Sequence, residues 1–349
     1  MARAWHQPGC PRLMRFWKYA ARRLAFLPVQ LFIVSVIVFF LVRLLPGDPS
    51  YLLAGPFATV ERVGEVRKGL GLDQPLYVQY AHYVKNIARG ELGTSWVTSR
   101  PVLADIAQRL PATMELVLLA VFCSVVLGIP LGVLTAVRKR GVADRIVFGY
   151  GLLAGALPDF WFALIVIFVF FYKLGWFPGP VGQLDITVST PPHVTGMYAV
   201  DALLAGDWAA FGSAVMHLVL PVATLTAIYM PLVMKNTRST MEEMLGSDFI
   251  TYARAAGLSR LVQLRYALRN ALPSVVTIIG ILFWFLLGGA VLVETVFAWG
   301  GLGQYAVQSV VNSDYAPLQA FVLLTAVFTS VVFLLVDLAY FVLDPRIRA

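Results

Sequence analysis

The segment SDFITYARAAGLSRLVQLRYALRNALP, residues 247–273, stands between strongly apolar stretches yet carries Arg254, Arg260, Arg265 and Arg269. Guanidinium groups at that density are too costly to place in hydrocarbon, so the segment reads as a water-exposed loop between two membrane spans. Phe249, Tyr252, Ala253 and Ala256 fall at i, i+3, i+4 and i+7, the spacing of one face of a short amphipathic helix. Ser247 stands where a capping side chain is favoured, and Asp248 where the positive end of a helix dipole favours a carboxylate. Gly257 supplies the stop, since glycine enters the left-handed conformation without steric cost. Leu261, Leu264 and Leu268 predict a second short helix, and Pro273 marks re-entry into the membrane.

Outward from this loop, the 349 residues are 59% hydrophobic and only 13% charged, with a mean hydropathy of +0.77. Soluble domains run at about 45–50% apolar and about 25% charged, so this is the composition of an integral membrane protein. A helix needs about 20 apolar residues to cross about 30 Å of hydrocarbon. The stretches that meet this need are Leu24 to Leu45, Thr113 to Val137, Phe148 to Tyr172, Ser213 to Met234, Ser274 to Phe297 and Leu318 to Leu343. The predicted fold class is therefore all-α: a polytopic membrane protein with six transmembrane helices and cytoplasmic N- and C-termini. It divides into a basic arm (1–23), a first transmembrane helix (24–45), an external loop with short helices (46–112), a five-helix core (113–343) and a tail (344–349). Within the core lie a second external loop, 174–212, and the basic loop, 235–273.

Orientation follows from lysine and arginine, which collect on the cytoplasmic side. Arg3, Arg12, Arg15, Lys18, Arg22 and Arg23 mark the arm; Arg138, Lys139, Arg140 and Arg145 mark the second loop; Lys235 and Arg238 extend the basic loop. The segments 174–212 and 299–317 contain neither residue type and belong outside. Arg346 and Arg348 return the tail to the cytosol. The net charge of +8 is thus mostly a marker of sidedness, and no basic stripe interleaved with aromatics points to nucleic acid. The apolar core of the first span exceeds the about 7–15 residues of a secretory signal and lacks a small-x-small cleavage site before Leu44, so a retained helix is expected. In the first external loop, Leu76 to Ile87 has a helical pattern, and 174–212 reads as irregular chain ending in a short helix at Met197 to Leu204. These loops would either meet an extracytoplasmic partner or merely cover the helix ends.

Several chemistries are missing. There is no Gly-Lys dipeptide, hence no G-x-x-x-x-G-K-[ST] phosphate loop, and the chain is not expected to hydrolyse ATP itself. Neither H-E-x-x-H nor G-x-S-x-G occurs, and His6, His82, His193 and His217 are scattered without metal-ligand spacing. Cys10 and Cys123 form no C-x-x-C pair. No catalytic residue, metal ligand or bound cofactor is assigned.

Charge inside a membrane defaults to a functional hypothesis. Arg43, Glu115 and Glu294 lie near span ends, where snorkelling or interfacial solvation accounts for them. Asp337 is expected to make an interhelical hydrogen bond or ion pair. Asp159 follows Pro158 with Gly151 and Gly155 nearby, which places it at either a helix break or a pore, and makes it the candidate for a substrate pathway. Pro221, Pro231, Gly280, Gly288 and Gly289 permit kinks and close helix packing. From the residues alone, a channel or ion-coupled secondary carrier whose basic loop anchors anionic lipid is the competing class.

The loop, with A-R-A-A-G-L at Ala253 to Leu258 and A-L-R-N-A-L at Ala267 to Leu272, resembles the cytoplasmic EAA loop of binding-protein-dependent ABC importer permeases. More narrowly, the chain resembles the first permease subunit of the dipeptide/oligopeptide/nickel family. The match runs through L-V-R-L-L-P-G-D-P at Leu41 to Pro49, G-L-D-Q-P-L at Gly71 to Leu76, G-E-L-G-T-S at Gly90 to Ser95 and R-L-P-A-T at Arg109 to Thr113. It continues through G-I-P-L-G at Gly128 to Gly132, V-E-T-V-F at Val293 to Phe297 with G-L-G at Gly301 to Gly303, and D-P-R-I-R at Asp344 to Arg348. Thr251 stands where the generic signature has glutamate, and Pro273 comes one position early.

The resemblance implies an ABC importer type I permease fold in a bacterial inner membrane. It implies that Phe249, Tyr252, Ala253, Ala256, Gly257 and Leu258 couple to a groove on one of two separate ATPase subunits, which hold ATP and magnesium. A homologous second permease and an extracytoplasmic solute-binding protein would complete the system. Its solute would be a di- or oligopeptide, with nickel chelates and glutathione as alternatives within the family.

Overall fold

A chain inside a bilayer finds no water for its backbone N–H and C=O groups, so each apolar stretch must satisfy them within a helix. The computed structural model describes residues 10–44, 49–55, 57–138 and 141–343, and among them there is no β-strand. Residues 1–9 of the arm, Leu45 to Asp48 of the first motif, Lys139, Arg140 and the 344–349 tail with Arg346 and Arg348 lie outside the described residues.

The helices are α1 (Cys10–Arg43), α2 (Pro49–Ala54), α3 (Val60–Gly69), α4 (Leu76–Ala88), α5 (Val102–Val137), α6 (Val142–Ala156) and α7 (Asp159–Val166), which continues as a π-helix over Ile167–Lys173. They are followed by α8 (Tyr198–Ala205), α9 (Trp208–Leu245), α10 (Asp248–Ala255), α11 (Arg260–Val296), α12 (Leu302–Val311) and α13 (Tyr315–Leu343). The helical readings of Leu76 to Ile87 and Met197 to Leu204 correspond to α4 and α8.

Among the described residues, α5, α9, α11, Ala25–Arg43 of α1 and Tyr315–Ala339 of α13 are each long and apolar enough to cross a membrane. The remaining candidate, Phe148 to Tyr172, is not one straight helix. It is split between α6 and α7, whose axes differ by 110°, and it counts as a sixth crossing only if the two pieces are taken together. The break has a local cause. Proline disfavours helical geometry in the residue before it, and Leu157 is extended at φ −88°, ψ 131° ahead of Pro158, which heads α7.

A second difference concerns Leu261 to Pro273. No second short helix forms, because the leucine stripe is continuous with the apolar face of α11, which runs unbroken through Pro273. Pro273 therefore lies inside one continuous helix and does not start a new one. The Thr277 hydroxyl donates to the Pro273 carbonyl at 3.2 Å, the i to i−4 back-bond common to threonine in helices.

Lipid tails are as apolar as leucine, so membrane helices associate through close packing. At the centre, α5 lies along α9, and α11 packs against both. Gly128 and Gly132 form a small-x-x-x-small pair on α5. A Cβ at Gly132 would lie 2.7 Å from the Met234 carbonyl oxygen and 2.7 Å from Thr237 Cβ, so only glycine permits this approach. The main core gathers Leu116, Leu225, Leu282, Leu286 and Trp299 from α5, α9, α11 and the chain just after α11.

Candidate functional site

At one end of the bundle, α10 is held by its own apolar residues. Ile250 is buried against Ala136, Met241, Ala267 and Ala271, contributed by α5, α9 and α11, and Ala253 on the same helix is also buried. The opposite face is open: Phe249 is 40% and Tyr252 77% exposed, and Ala256, Gly257 and Leu258 are exposed beside them. The four-residue stripe read from spacing is therefore divided. Successive helical residues turn by roughly 100°, which leaves Ala253 between the two faces, and it lies on the buried side. Ile250 itself, outside the predicted stripe, is the anchor.

Ser247 occupies the N-cap position but makes no side-chain cap; its hydroxyl donates to the Met244 carbonyl. Gly257 stops the helix as its residue type predicts. It sits at φ +75°, with its N–H donating to Arg254 O at 3.0 Å and the Leu258 N–H to Ala253 O at 3.1 Å. This is the paired closure of a Schellman motif.

The other end is organised by buried carboxylates. Glu294 is fully buried and Glu115 is 4% exposed, so neither snorkels nor is solvated at an interface. The Glu294 carboxylate accepts the Thr113 hydroxyl at 2.6 Å and the Gln304 N–H at 3.0 Å, while Thr113 Oγ1 accepts the Leu302 N–H at 2.8 Å. Together they satisfy the first N–H groups of α12, which carry the positive end of its dipole. Glu115 does the same for α8, accepting the Ala199 N–H at 3.0 Å. Arg43 turns back along α1, over the Phe39 ring at 3.4 Å, and donates to Gln79 Oε1 at 2.9 Å.

Three motifs far apart in sequence meet here. Thr113 closes R-L-P-A-T, Glu294 comes from V-E-T-V-F, and a Cβ on Gly301 of G-L-G would lie 2.5 Å from Glu294 Oε2. Nearby, Asp314 accepts the Ser95 hydroxyl at 2.6 Å and the Trp96 N–H at 3.0 Å. Burial pushes its carboxyl above the usual range despite those bonds. Asp201 runs the other way. Burial alone would raise it, but bonds from the Thr195 hydroxyl and from the Thr195, Gly196 and Val194 N–H groups outweigh burial and hold it below the usual range.

Between these ends, α1, α7, α9, α11 and α13 surround a cavity of about 610 Å³ lined by Asp159, Tyr229, Trp284, Phe285, Gln30 and Thr325, among others. Asp159 is thus both at the helix break and on the cavity wall. The Tyr229 hydroxyl donates to Asp159 Oδ2 at 2.6 Å. A Cβ at Gly289 would lie 2.3 Å from that hydroxyl and 2.6 Å from Asp159 Oδ2, so glycine lets both groups reach the backbone of α11. Asp337, on α13, is partly buried away from this wall and is not among its lining residues.

Residues 128–349 match the family model "Binding-protein-dependent transport system inner membrane component", and residues 15–117 match the N-terminal model for membrane components of the same systems. The chain is similar to the probable D,D-dipeptide transport system permease protein DdpB of Escherichia coli K12. The two are 42% identical over 335 residues, covering 96% of this chain and 98% of the relative. It is 35% identical over 333 residues to the dipeptide transport system permease protein DppB of Alkalihalophilus pseudofirmus, covering 95% and 99% of the two chains. The glutathione transport system permease protein GsiC of Escherichia coli O6:H1 is 38% identical over 331 residues, covering 95% and 98%.

Proposed function

This chain belongs to the inner membrane components of binding-protein-dependent transport systems, and from that premise we propose that it forms half of the translocation pathway of an ATP-driven peptide importer. Dipeptides are the favoured solutes, because relatives named for dipeptide transport align over nearly the whole chain. A small peptide such as glutathione is the second reading, carried by the relative named for that solute.

The observation that carries the mechanism is the two-faced α10. One face is locked to the bundle by Ile250 and Ala253, while Phe249 and Tyr252 stand exposed. An amphipathic helix presenting such anchors fits a groove on a partner. Burying the area still exposed would contribute up to about 1.5–3 kcal/mol for each aromatic, less for Phe249, which is 40% exposed. We assign the partner as one of two ATPase subunits, contacted through Phe249, Tyr252, Ala256, Gly257 and Leu258, with Ala253 holding the helix from behind. ATP and magnesium belong to those subunits. Nucleotide then moves the bundle between inward- and outward-open states only by its differential affinity for the two.

In this arrangement the 235–273 loop, the arm and the tail face the cytosol, and 46–112 and 174–212 face an extracytoplasmic binding protein. A homologous second permease completes the pathway, with Asp159 on its wall. No covalent step on the solute is involved. The test is uptake of radiolabelled Ala-Phe into proteoliposomes holding the complete importer, with ATP inside and loaded binding protein outside. ATP-dependent accumulation is expected. Uptake that needs an ion gradient and not ATP would overturn the reading in favour of a secondary carrier.

A further inference from the structure

Asp159 lines the membrane cavity with a single side-chain hydrogen-bond partner, Tyr229, and makes no ion pair among the described residues. A carboxylate at membrane depth is costly unless a cation or several donors compensate it. Tyr229 supplies one donor. The N-terminal turn of α7 offers dipole compensation, which a neutral asparagine would also exploit in part.

The rest of the setting favours a positive visitor. Trp284 and Phe285 line the same wall, and aromatic faces attract cations through their quadrupoles. The lining also brings Gln30 and Thr325 as neutral hydrogen-bonding groups, but no lysine, arginine or histidine. Gly289 matters as well, because any side chain there would displace the Asp159 carboxylate and the Tyr229 hydroxyl from where they now stand. Three helices thus converge to hold one carboxylate at the wall of a space large enough for a small solute.

We propose that Asp159, oriented by Tyr229, is the ammonium-recognising point of the translocation pathway, accepting the protonated amine of a peptide in transit. This rests on the importer reading, and it adds which chemical group of the solute the membrane domain senses. Tyr229 is a positioning residue: its hydroxyl fixes one carboxylate oxygen and leaves the other for the amine. No bond is made or broken, and the amine arrives and leaves protonated.

The test is equilibrium binding to the complete importer in nanodiscs without binding protein, using cationic Ala-Phe-amide and neutral N-acetyl-Ala-Phe-amide. Wild type is expected to bind the cation about tenfold more tightly, the size of one charge-assisted hydrogen bond. Asp159→Asn should erase that preference, and Asp159→Glu, which keeps the charge, should retain it. Equal affinities in wild type, or a preference that survives in Asp159→Asn, would overturn the assignment. If Asp159→Asn does not assemble, Asp159→Glu is read in its place: a retained preference for the cation supports the assignment and its loss overturns it. Peptide uptake by the wild-type importer is read separately. Uptake without amine preference overturns this assignment only, whereas absence of uptake overturns the importer reading and this assignment with it.

Discussion

The Thr113 hydroxyl donates to Glu294 at 2.6 Å across a sequence separation of 181 residues, joining α5 to the end of α11. Through the same pair, the N-terminus of α12 is tied to both. Removing the carboxylate therefore leaves two buried donors, Thr113 Oγ1 and the Gln304 N–H, without their acceptor. Glu294→Ala should destabilise the chain by roughly 1–3 kcal/mol for each orphaned group. Glu294→Gln, which keeps an acceptor oxygen, should lose less. Thermal unfolding of the detergent-solubilised protein checks the order; equal losses would show that the carboxylate is not the organising group.

Gly132 governs how closely α5 and α9 approach. Because an added Cβ would meet the Met234 carbonyl and Thr237 Cβ at 2.7 Å, backbone must move to admit it. Gly132→Ala should cost about 1–3 kcal/mol, as overpacking does in tight cores. Gly155, with nothing within 4 Å of its would-be Cβ, is the control position. An alanine at Gly155 that proved the more damaging of the two would refute the close-packing account.

The two faces of α10 should separate by experiment. Ile250→Ala removes a fully buried side chain and should lower stability by about 2–5 kcal/mol. Phe249→Ala combined with Tyr252→Ala removes exposed groups and should leave the melting temperature near that of wild type while weakening co-purification of the ATPases. Undiminished co-purification would remove the docking role from that face.

Asp201 should impose a pH dependence on the loop ahead of α8. Its folded pKa lies below the ordinary carboxylate value, so its contribution to stability is fully present above that value, about 3.9, and is lost as pH falls through the folded pKa. Between neutral pH and about pH 3, wild type should therefore lose more stability than Asp201→Asn. Parallel losses in the two proteins would show that the four hydrogen bonds do not favour the charged form.

By itself the sequence determined what depends on neighbours along the chain. Apolar length places the helices, because the cost of bare backbone in lipid is paid residue by residue. Gly257 ends α10, because only its own φ and the preceding turn are involved. The order of short motifs was enough to place the chain in its family. Tertiary structure decided the rest. That Ile250 anchors α10 depends on its meeting Ala136, Met241, Ala267 and Ala271 from three other helices, which no helical period contains. Pro158 announced a break, but the 110° angle belongs to the folded chain, in which α7 packs against α9 and α11. Glu115 and Glu294 read as interfacial because charge near a span end is normally solvated; they are buried because two short helices bring their N–H groups to them. Periodicity encodes which way a residue faces along its own helix, whereas a partner 181 residues away is chosen by the packing of helices against one another.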